Sequence, residues 1–149
     1  MISESNKFSL GFINLSSVVK NIYNGLKYHF NLNENEVKIL IFTYTCKPNS
    51  IRKISEYFSL SPTLTSKILS SLEVKHLIIR QINKNDKRFE NVILTDKGIR
   101  ITCMLMENIE KTFCKNISEI LKNDCETLPG FFKIINENIN TQSQLINLN

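Results

Sequence analysis

The residues best suited to binding chemistry are small, polar and basic, and they recur on one side of a segment that begins at Ser61. A rotation of about 100° per residue places four of them on one helix face: Thr63, Ser66, Lys67 and Ser70. Hydroxyls and a lysine amine can reach base edges and phosphates in a major groove without steric conflict. We therefore expect this face to contact double-stranded DNA, the alternative being an ordinary solvated helix face.

A second group of charges lies at the predicted tip of a hairpin, in residues 83–88. Three of these residues are cations: Lys84, Lys87 and Arg88. A cation on a protruding loop can enter a minor groove, where the negative potential is enhanced. Loops that bind nothing also carry charges, so the tip alone does not decide between the two interpretations.

The net charge of +5 is concentrated in the same part of the chain. Residues 48–100 include ten cations and five anions, whereas the rest of the chain has nine of each. A surface that binds a polyanion needs such an excess, although a modest excess can also cluster by chance. Arg52 and Lys53 belong to this stretch, and we expect them to hold phosphate at the start of a short helix.

The elements that must position these side chains have recognisable start signals. Ser61 is predicted to cap a helix that has Pro62 at its first position, where a missing N–H costs nothing. The other side of this helix is expected to pack inward through Leu60, Leu64, Ile68, Leu69 and Leu72. Residues 77–82 and 90–94 are rich in β-formers and predict a hairpin, after which Thr95 can cap a long helix.

Helices are also predicted on both sides of this region. Steps of four and three in the apolar residues predict a first helix that ends near residue 30: Phe8, Phe12, Leu15, Val19, Ile22 and Leu26. Asn33 and Glu36 form a capping-box pattern for the second helix. The long helix after the hairpin is expected to carry its apolar seam at Ile99, Cys103, Met106, Phe113, Ile117 and Ile120. A last apolar stripe runs from Phe131 to Ile146.

Three pieces of this pattern together resemble the MarR family of winged-helix transcription regulators. They are residues 61–80, the tip Asp86-Lys87-Arg88 and the run Leu94-Thr95-Asp96-Lys97-Gly98. The resemblance implies a mainly α fold with a small β-hairpin wing, in which a winged helix-turn-helix lobe is joined to N- and C-terminal dimerisation helices. His76 departs from the family pattern, which usually has Gly there because the position often needs a positive φ.

The resemblance further implies one domain over residues 1–149. Its DNA-binding lobe would cover residues 33–100, and helical dimerisation regions would cover residues 8–30 and 101–146. The terminal segments carry more apolar seam than a small lobe could cover, and the resemblance implies that they build a homodimer. Intramolecular packing of these helices is the alternative.

The implied function is sequence-specific regulation of transcription, most simply repression, by a dimer that binds pseudo-palindromic half-sites roughly 10 bp apart. The resemblance implies that Asp86 orients Arg88 through a carboxylate–guanidinium pair. The predicted DNA-binding residues are Arg52, Lys53, Ser61, Thr63, Ser66, Lys67, Ser70, Lys84, Asp86, Lys87 and Arg88. The alternative is a winged helix that binds an acidic protein partner instead of DNA.

Regulation is predicted on the same resemblance. MarR-like proteins often release DNA when a small aromatic or anionic ligand fills a crevice beside the dimer helices, and others respond to thiol oxidation or metal. Tyr23, Phe30 and Tyr44 could line such a crevice, although aromatic residues on helices more often belong to the core. A SarA-like branch acts without a known small ligand, and residues 30–33 are somewhat similar to that branch.

The cysteines fit a reducing compartment, because their spacing matches neither a disulfide framework nor a zinc motif. Cys46, near a helix end, is the candidate exposed thiol for redox sensing. The other three are expected to be small buried residues: Cys103, Cys114 and Cys125.

Other kinds of function have less support. His29 and His76 stand in no recognisable nucleophile or zinc motif, and the four glycines form no phosphate-binding loop. We therefore expect no enzyme, no cofactor and no metal site. The N-terminus lacks the apolar segment of a signal peptide, and no apolar run reaches membrane-spanning length, so we expect a cytoplasmic protein without a membrane partner.

Overall fold

The computed structural model describes residues 4–46, 50–82 and 90–121. These residues form α1 (Glu4–Phe30), α2 (Glu34–Thr45), α3 (Ile51–Tyr57), α4 (Pro62–Val74), β1 (Ile78–Ile82), β2 (Glu90–Leu94) and α5 (Asp96–Leu121). The predicted mainly α fold with a β-hairpin wing is confirmed. A first compact unit ends at Lys111 and contains the helix-turn-helix and the hairpin. Among the described residues, no helix combines the length and the apolar character that a membrane crossing requires.

The helix starts depend on local side-chain hydrogen bonds. The Asn33 side chain accepts the backbone N–H of Glu36 at 3.0 Å, and the Glu36 carboxylate accepts the N–H of Asn33 at 2.8 Å. Ser61 Oγ accepts a backbone N–H in the first turn of α4 at 3.2 Å. Thr95 Oγ1 accepts the N–H of Gly98 at 2.9 Å. The three caps predicted from the sequence are therefore confirmed.

The core of the first unit is apolar and lies among α2, α3, α4, the hairpin and the start of α5. Its buried apolar residues are Ile22, Leu26, Leu32, Val37, Ile39, Leu40, Ile54, Ile68, Leu69, Leu72, Leu77, Ile78, Val92 and Leu105. Among the α1 residues whose burial the structure describes, those that contribute to this set are Ile22 and Leu26, in the second half of the helix. Earlier positions on its predicted seam stay exposed: Phe12 at 65%, Leu15 at 40% and Val19 at 38%.

The hairpin is antiparallel, with Ile78 opposite Leu94 and Arg80 opposite Val92. Because side chains alternate along a strand, Arg80 shares the inner side of the hairpin with the buried Ile78 and Val92. Ser50, immediately before α3, forms an isolated bridge with a residue of β2. This connection of α3 to the wing had no signal in the sequence.

The inward face of α4 differs from the prediction at two adjacent residues. Leu64 was expected inside but is 42% exposed, whereas Thr65 is fully buried. The buried arc is set by Ile68, Leu69 and Leu72, and a rotation of about 100° per residue places Thr65 within that arc and Leu64 at its edge.

The inward face of α5 is also offset from the predicted seam. Thr102 and Leu105 are fully buried, while Ile99 is 40% exposed and Cys103 is exposed. Gly98 explains the offset, because a Cβ at this position would lie 1.9 Å from the carbonyl oxygen of Leu77. The helix therefore approaches the turn before β1 on its glycine side.

The turn after α4 places His76 at φ 57°, in the left-handed region that favours glycine. The expected positive φ at this position is thus confirmed. The wing tip (Lys84, Asp86, Lys87 and Arg88), Cys125 and the stripe at 131–146 lie outside the described residues.

Candidate nucleic-acid interface

The structure brings four of the predicted DNA-binding residues together on α4. We call Thr63, Ser66, Lys67 and Ser70 the polar face of α4. With Pro62 they line an open concavity of about 580 Å³. Thr63, Lys67 and Ser70 are exposed and Ser66 is half-buried. Hydroxyl groups and one ammonium group are thus available to a ligand that enters this concavity.

The start of α4 offers a place for an anion beside this face. Ser61 is exposed, and its Oγ accepts the N–H of Leu64. Because a hydroxyl carries one proton and two lone pairs, Ser61 keeps its proton for an outside acceptor. The positive end of the helix dipole lies at the same place. Ser61 can therefore cap the helix and donate to a phosphate oxygen at the same time.

A buried hydroxyl pair fixes α4 against α3. Ser55 Oγ lies 3.0 Å from Thr65 Oγ1, which in turn donates to the carbonyl oxygen of Ser61 at 3.1 Å. Both hydroxyl residues are buried. Burying a hydroxyl without a partner costs free energy, so this pair favours one relative placement of the two helices.

Arg80 is part of the site, although it was not among the residues predicted to bind DNA. Its guanidinium donates through Nη2 to Ser70 Oγ at 2.6 Å and through Nε to the Glu73 carboxylate at 2.8 Å. Its side chain is only 18% exposed. An arginine that faces inward on a strand needs a polar partner, so an inward Arg80 would have indicated a partner on a neighbouring element. The sequence does not show that Arg80 faces inward, because this depends on the register of the hairpin.

Arg52 and Lys53 lie at the start of α3 and are both exposed. The Arg52 side chain pairs with Glu56 at 2.7 Å, and this carboxylate raises the pKa of Arg52. An exposed ion pair contributes little free energy, so a phosphate could displace Glu56. Lys53 adds a second exposed charge beside it.

Part of the positive charge in residues 48–100 is neutralised inside the unit. Lys75 Nζ lies 2.7 Å from a carboxylate oxygen of Glu36, which is only 1% exposed. Burial raises the pKa of Glu36, but hydrogen bonds from Lys75, Ser71 and the Asn33 backbone outweigh it and leave the pKa lowered. Arg80 is paired with Glu73. The charge excess predicted from the sequence is therefore only partly available to a ligand.

The three aromatic residues predicted for a ligand crevice are half-buried. Tyr23 and Phe30 lie on α1, and Tyr44 lies on α2. Burial raises the pKa of Tyr23, whose ring centroid is 5.7 Å from Lys38 Nζ. A hydrogen bond with Cys103 of α5 raises the pKa of Tyr44. Tyr23 and Tyr44 therefore already have partners within the protein.

The thiols differ from the prediction at two positions, Cys103 and Cys114. Cys46 caps the C-terminus of α2 and is exposed, as expected. Cys103 was expected to be buried but is exposed, because the buried side of α5 passes through Thr102 and Leu105 instead. Cys114 is half-buried. Within the described ranges, no group of three or more His, Cys, Asp or Glu side chains is arranged to hold a metal ion.

Comparison with known proteins gives consistent similarities. The sequence model of the MarR family matches residues 32–89. The HTH-type transcriptional regulator Hpr of Geobacillus thermodenitrificans (strain NG80-2) is 34% identical over 83 residues, which are 56% of this chain and 42% of that protein. The uncharacterized HTH-type transcriptional regulator YwaE of Bacillus subtilis (strain 168) is 25% identical over 112 residues, 75% of this chain and 66% of that protein. The chain thus spans less than two thirds of the length of each.

Solved structures share the fold at low sequence identity. The wild-type MarR structure from E. coli in its apo form has a TM-score of 0.73 at 18% identity and covers 91% of this chain and 97% of that chain. A MarR-family transcriptional regulator from Rhodococcus sp. RHA1 has a TM-score of 0.72 at 13% identity and covers 93% and 97% respectively. Both carry the arrangement of helices and hairpin described above.

Proposed function

We propose that this chain is a MarR-family regulator that binds double-stranded DNA sequence-specifically and regulates transcription, and the match of the family's sequence model over residues 32–89 supports this. The observation that supports this most directly is the concavity lined by the polar face of α4. Apart from Lys67, the side chains of this face are short, so a base edge can approach the helix closely.

We assign the remaining DNA contacts by their position in the chain. Ser61, Arg52 and Lys53 would hold phosphates at the starts of α4 and α3, which fixes the register of α4 on the duplex. Arg88 would enter the minor groove beside the α4 site, with Asp86 orienting it. Lys84 and Lys87 would add phosphate contacts from the same tip.

We also propose that the active form is a homodimer. The exposed apolar side chains on α1 support this, since Phe12, Leu15 and Val19 follow helical spacing and lie outside the core. Two copies related by a two-fold axis would place two α4 helices on half-sites about one helical turn apart.

Anisotropy titrations of labelled duplexes test DNA binding. Duplexes enriched from a random pool should bind at least about tenfold more tightly than random duplex, and affinity should fall steeply with salt. Lys67→Ala and Arg88→Ala should each weaken binding by about 1–3 kcal/mol, which is roughly 5- to 150-fold. Lys111→Ala is the matched control, because it removes the same charge from an exposed position on α5 and should change affinity less than about twofold.

The outcomes separate DNA binding from its alternative. A chain that enriches no duplex, and whose weak binding Lys67→Ala and Arg88→Ala leave unchanged, does not have the proposed function. An acidic protein partner would then become the better hypothesis for the polar face of α4.

Repression is the proposed direction of regulation, since a dimer bound over a promoter excludes polymerase. A reporter gene placed behind an enriched duplex should lose activity when the protein is expressed, and increased activity would contradict repression.

We propose release by a small aromatic or anionic ligand near Tyr23, Phe30 and Tyr44. Salicylate, used as a probe, should then lower the DNA affinity of the wild type, and it should lower the affinity of Tyr44→Ala by a smaller factor. No effect on the wild type would contradict release by small aromatic anions.

Thiol oxidation is the second proposed release signal. Cys46 and Cys103 are both exposed, so each thiol is accessible to an oxidant. Treatment with hydrogen peroxide should lower the DNA affinity of the wild type, and Cys46→Ser should resist it. If the wild type and Cys46→Ser lose DNA affinity equally and Cys103→Ser keeps it, Cys103 would be the thiol that responds to oxidation.

A further inference from the structure

Arg80 lies beside the polar face of α4 and bonds to one member of it. Nη2 of Arg80 donates to Ser70 Oγ at 2.6 Å, and the Glu73 carboxylate holds the same guanidinium through Nε and Nη2, each at 2.8 Å. Arg80 reaches this position because it lies on the inner side of the hairpin. The wing strand thus reaches across to α4 and fixes a side chain there.

The hydrogen bonds of Ser70 are determined by chemistry. A guanidinium can only donate, so Ser70 Oγ accepts from Arg80. A carbonyl can only accept, so Ser70 Oγ must donate its single proton to the carbonyl oxygen of Ser66, which lies 3.0 Å away. One lone pair of the Ser70 oxygen remains, and Ser70 is exposed on the concavity. Toward a ligand, Ser70 is therefore an acceptor and not a donor.

We propose that Arg80 is a positioning residue that makes Ser70 select amino-bearing bases in the major groove. This inference rests on the proposed DNA binding. The edges of adenine and cytosine present N–H donors there, whereas guanine O6 and thymine O4 are acceptors. An acceptor on Ser70 can bond to the amino group of adenine or cytosine and is repelled by guanine O6 and thymine O4. Without Arg80 the hydroxyl is no longer held in one orientation and can rotate to donate its proton to a base carbonyl, so this distinction is lost.

Base swaps in an enriched duplex test the proposal. Each base pair of a half-site is reversed in turn, which exchanges an amino group for a carbonyl on the strand facing α4. At one position the wild type should prefer the amino base by roughly three- to tenfold, the range expected for one hydrogen bond. Ser70→Ala should lose this preference. Ser70→Thr should keep it, because threonine retains the hydroxyl and the same bond to the preceding turn.

Variants of the positioning group complete the test. Arg80→Met should reduce the preference at that position to under about twofold while leaving the preferences elsewhere in the half-site in place. Glu73→Ala removes the carboxylate that holds the guanidinium, at a partly exposed position, and should reduce the base preference partially. This variant replaces Arg80→Met in the test if circular dichroism shows that Arg80→Met is unfolded.

Three results would overturn the proposal. Unchanged preference in Ser70→Ala would remove Ser70 from base recognition. Uniformly weaker binding by Arg80→Met, with a smaller salt dependence and an unchanged preference, would make Arg80 a phosphate contact. Absence of any sequence preference in the wild type would overturn the proposed function itself, and this inference with it.

Discussion

At the residue scale, Gly98 allows the closest approach between α5 and the turn before β1. An added Cβ would lie 1.9 Å from the carbonyl oxygen of Leu77, which is backbone and cannot rotate away. We expect Gly98→Ala to destabilise the protein by about 2 kcal/mol or more, because α5 or the turn must shift. Urea unfolding followed by circular dichroism measures this effect.

Gly25 is the matched control for this substitution. It lies inside α1, and a Cβ there would meet nothing within 4 Å. Gly25→Ala should therefore stabilise the protein by about 0.5–1 kcal/mol, the ordinary helix preference of alanine over glycine. Equal unfolding midpoints for the two variants would contradict the close approach at Gly98.

His76 is a second position at which the backbone decides the effect of a substitution. Its φ of 57° costs a side chain about 1–2 kcal/mol relative to glycine, partly offset by the greater freedom of glycine in the unfolded chain. We expect His76→Gly to stabilise the protein by about 0.5–1 kcal/mol in thermal or urea unfolding. His76→Ala keeps the Cβ and should give no such gain. Stabilisation by both variants would show that the imidazole, and not φ, is unfavourable.

At the element scale, Glu36 links α2 to α4. Its buried carboxylate accepts bonds from Ser71 at 2.6 Å and from Lys75 at 2.7 and 2.8 Å, while Lys75 Nζ also donates to the carbonyl oxygen of Asn31. The end of α4 is thus tied to the turn between α1 and α2. Since α4 carries the polar face, this network helps to orient the proposed DNA-binding surface.

Removing the charge of Glu36 tests this network. Glu36→Gln should destabilise the protein by about 1–3 kcal/mol, less than a fully buried pair would lose because Lys75 remains 28% exposed. Glu34→Gln is the control, since it makes the same change in an exposed pair with Lys38 and should cost under about 0.5 kcal/mol. Similar urea midpoints for the two variants would argue against a structural role of the buried pair.

The same pair predicts a pH dependence. The pKa of Glu36 is lowered in the folded protein, mainly because the bonds from Lys75, Ser71 and the Asn33 backbone outweigh the effect of burial. The unfolded state therefore binds this proton more readily, and stability from Glu36 is present above the usual carboxyl pKa and is lost as pH falls through the lowered value. The stability difference between wild type and Glu36→Gln should shrink between pH 7 and pH 3 in urea unfolding. A constant difference across this range would contradict the lowered pKa.

At the scale of the whole molecule, the proposed dimer depends on the exposed side of α1. Phe12 is 65% exposed at one end of this seam. Phe12→Glu should convert a dimer to a monomer in sedimentation velocity at micromolar concentration, because a charge in an apolar interface is unfavourable. Asn14→Glu is the control, since Asn14 lies about 200° around α1 from Phe12 and is exposed. Equal sedimentation of both variants and the wild type would contradict dimerisation through α1.

Much of the fold was determined by the sequence alone. The caps at Asn33, Ser61 and Thr95 depend on atoms a few residues apart, so their residue types were sufficient to place three helix starts. The polar face of α4 followed from helical periodicity, because spacing along a helix fixes which side chains share a side. The family resemblance, also drawn from local motifs, is confirmed by the match over residues 32–89.

Only the tertiary structure decided which atoms meet across elements. The bond from Arg80 to Ser70 requires the register of the hairpin and its placement against α4, and neither is encoded in local spacing. The pairing of Glu36 with Lys75 joins residues 39 positions apart. The inward faces at Thr65 and Thr102 were missed because burial depends on what an element packs against, whereas periodicity specifies only which residues share a face.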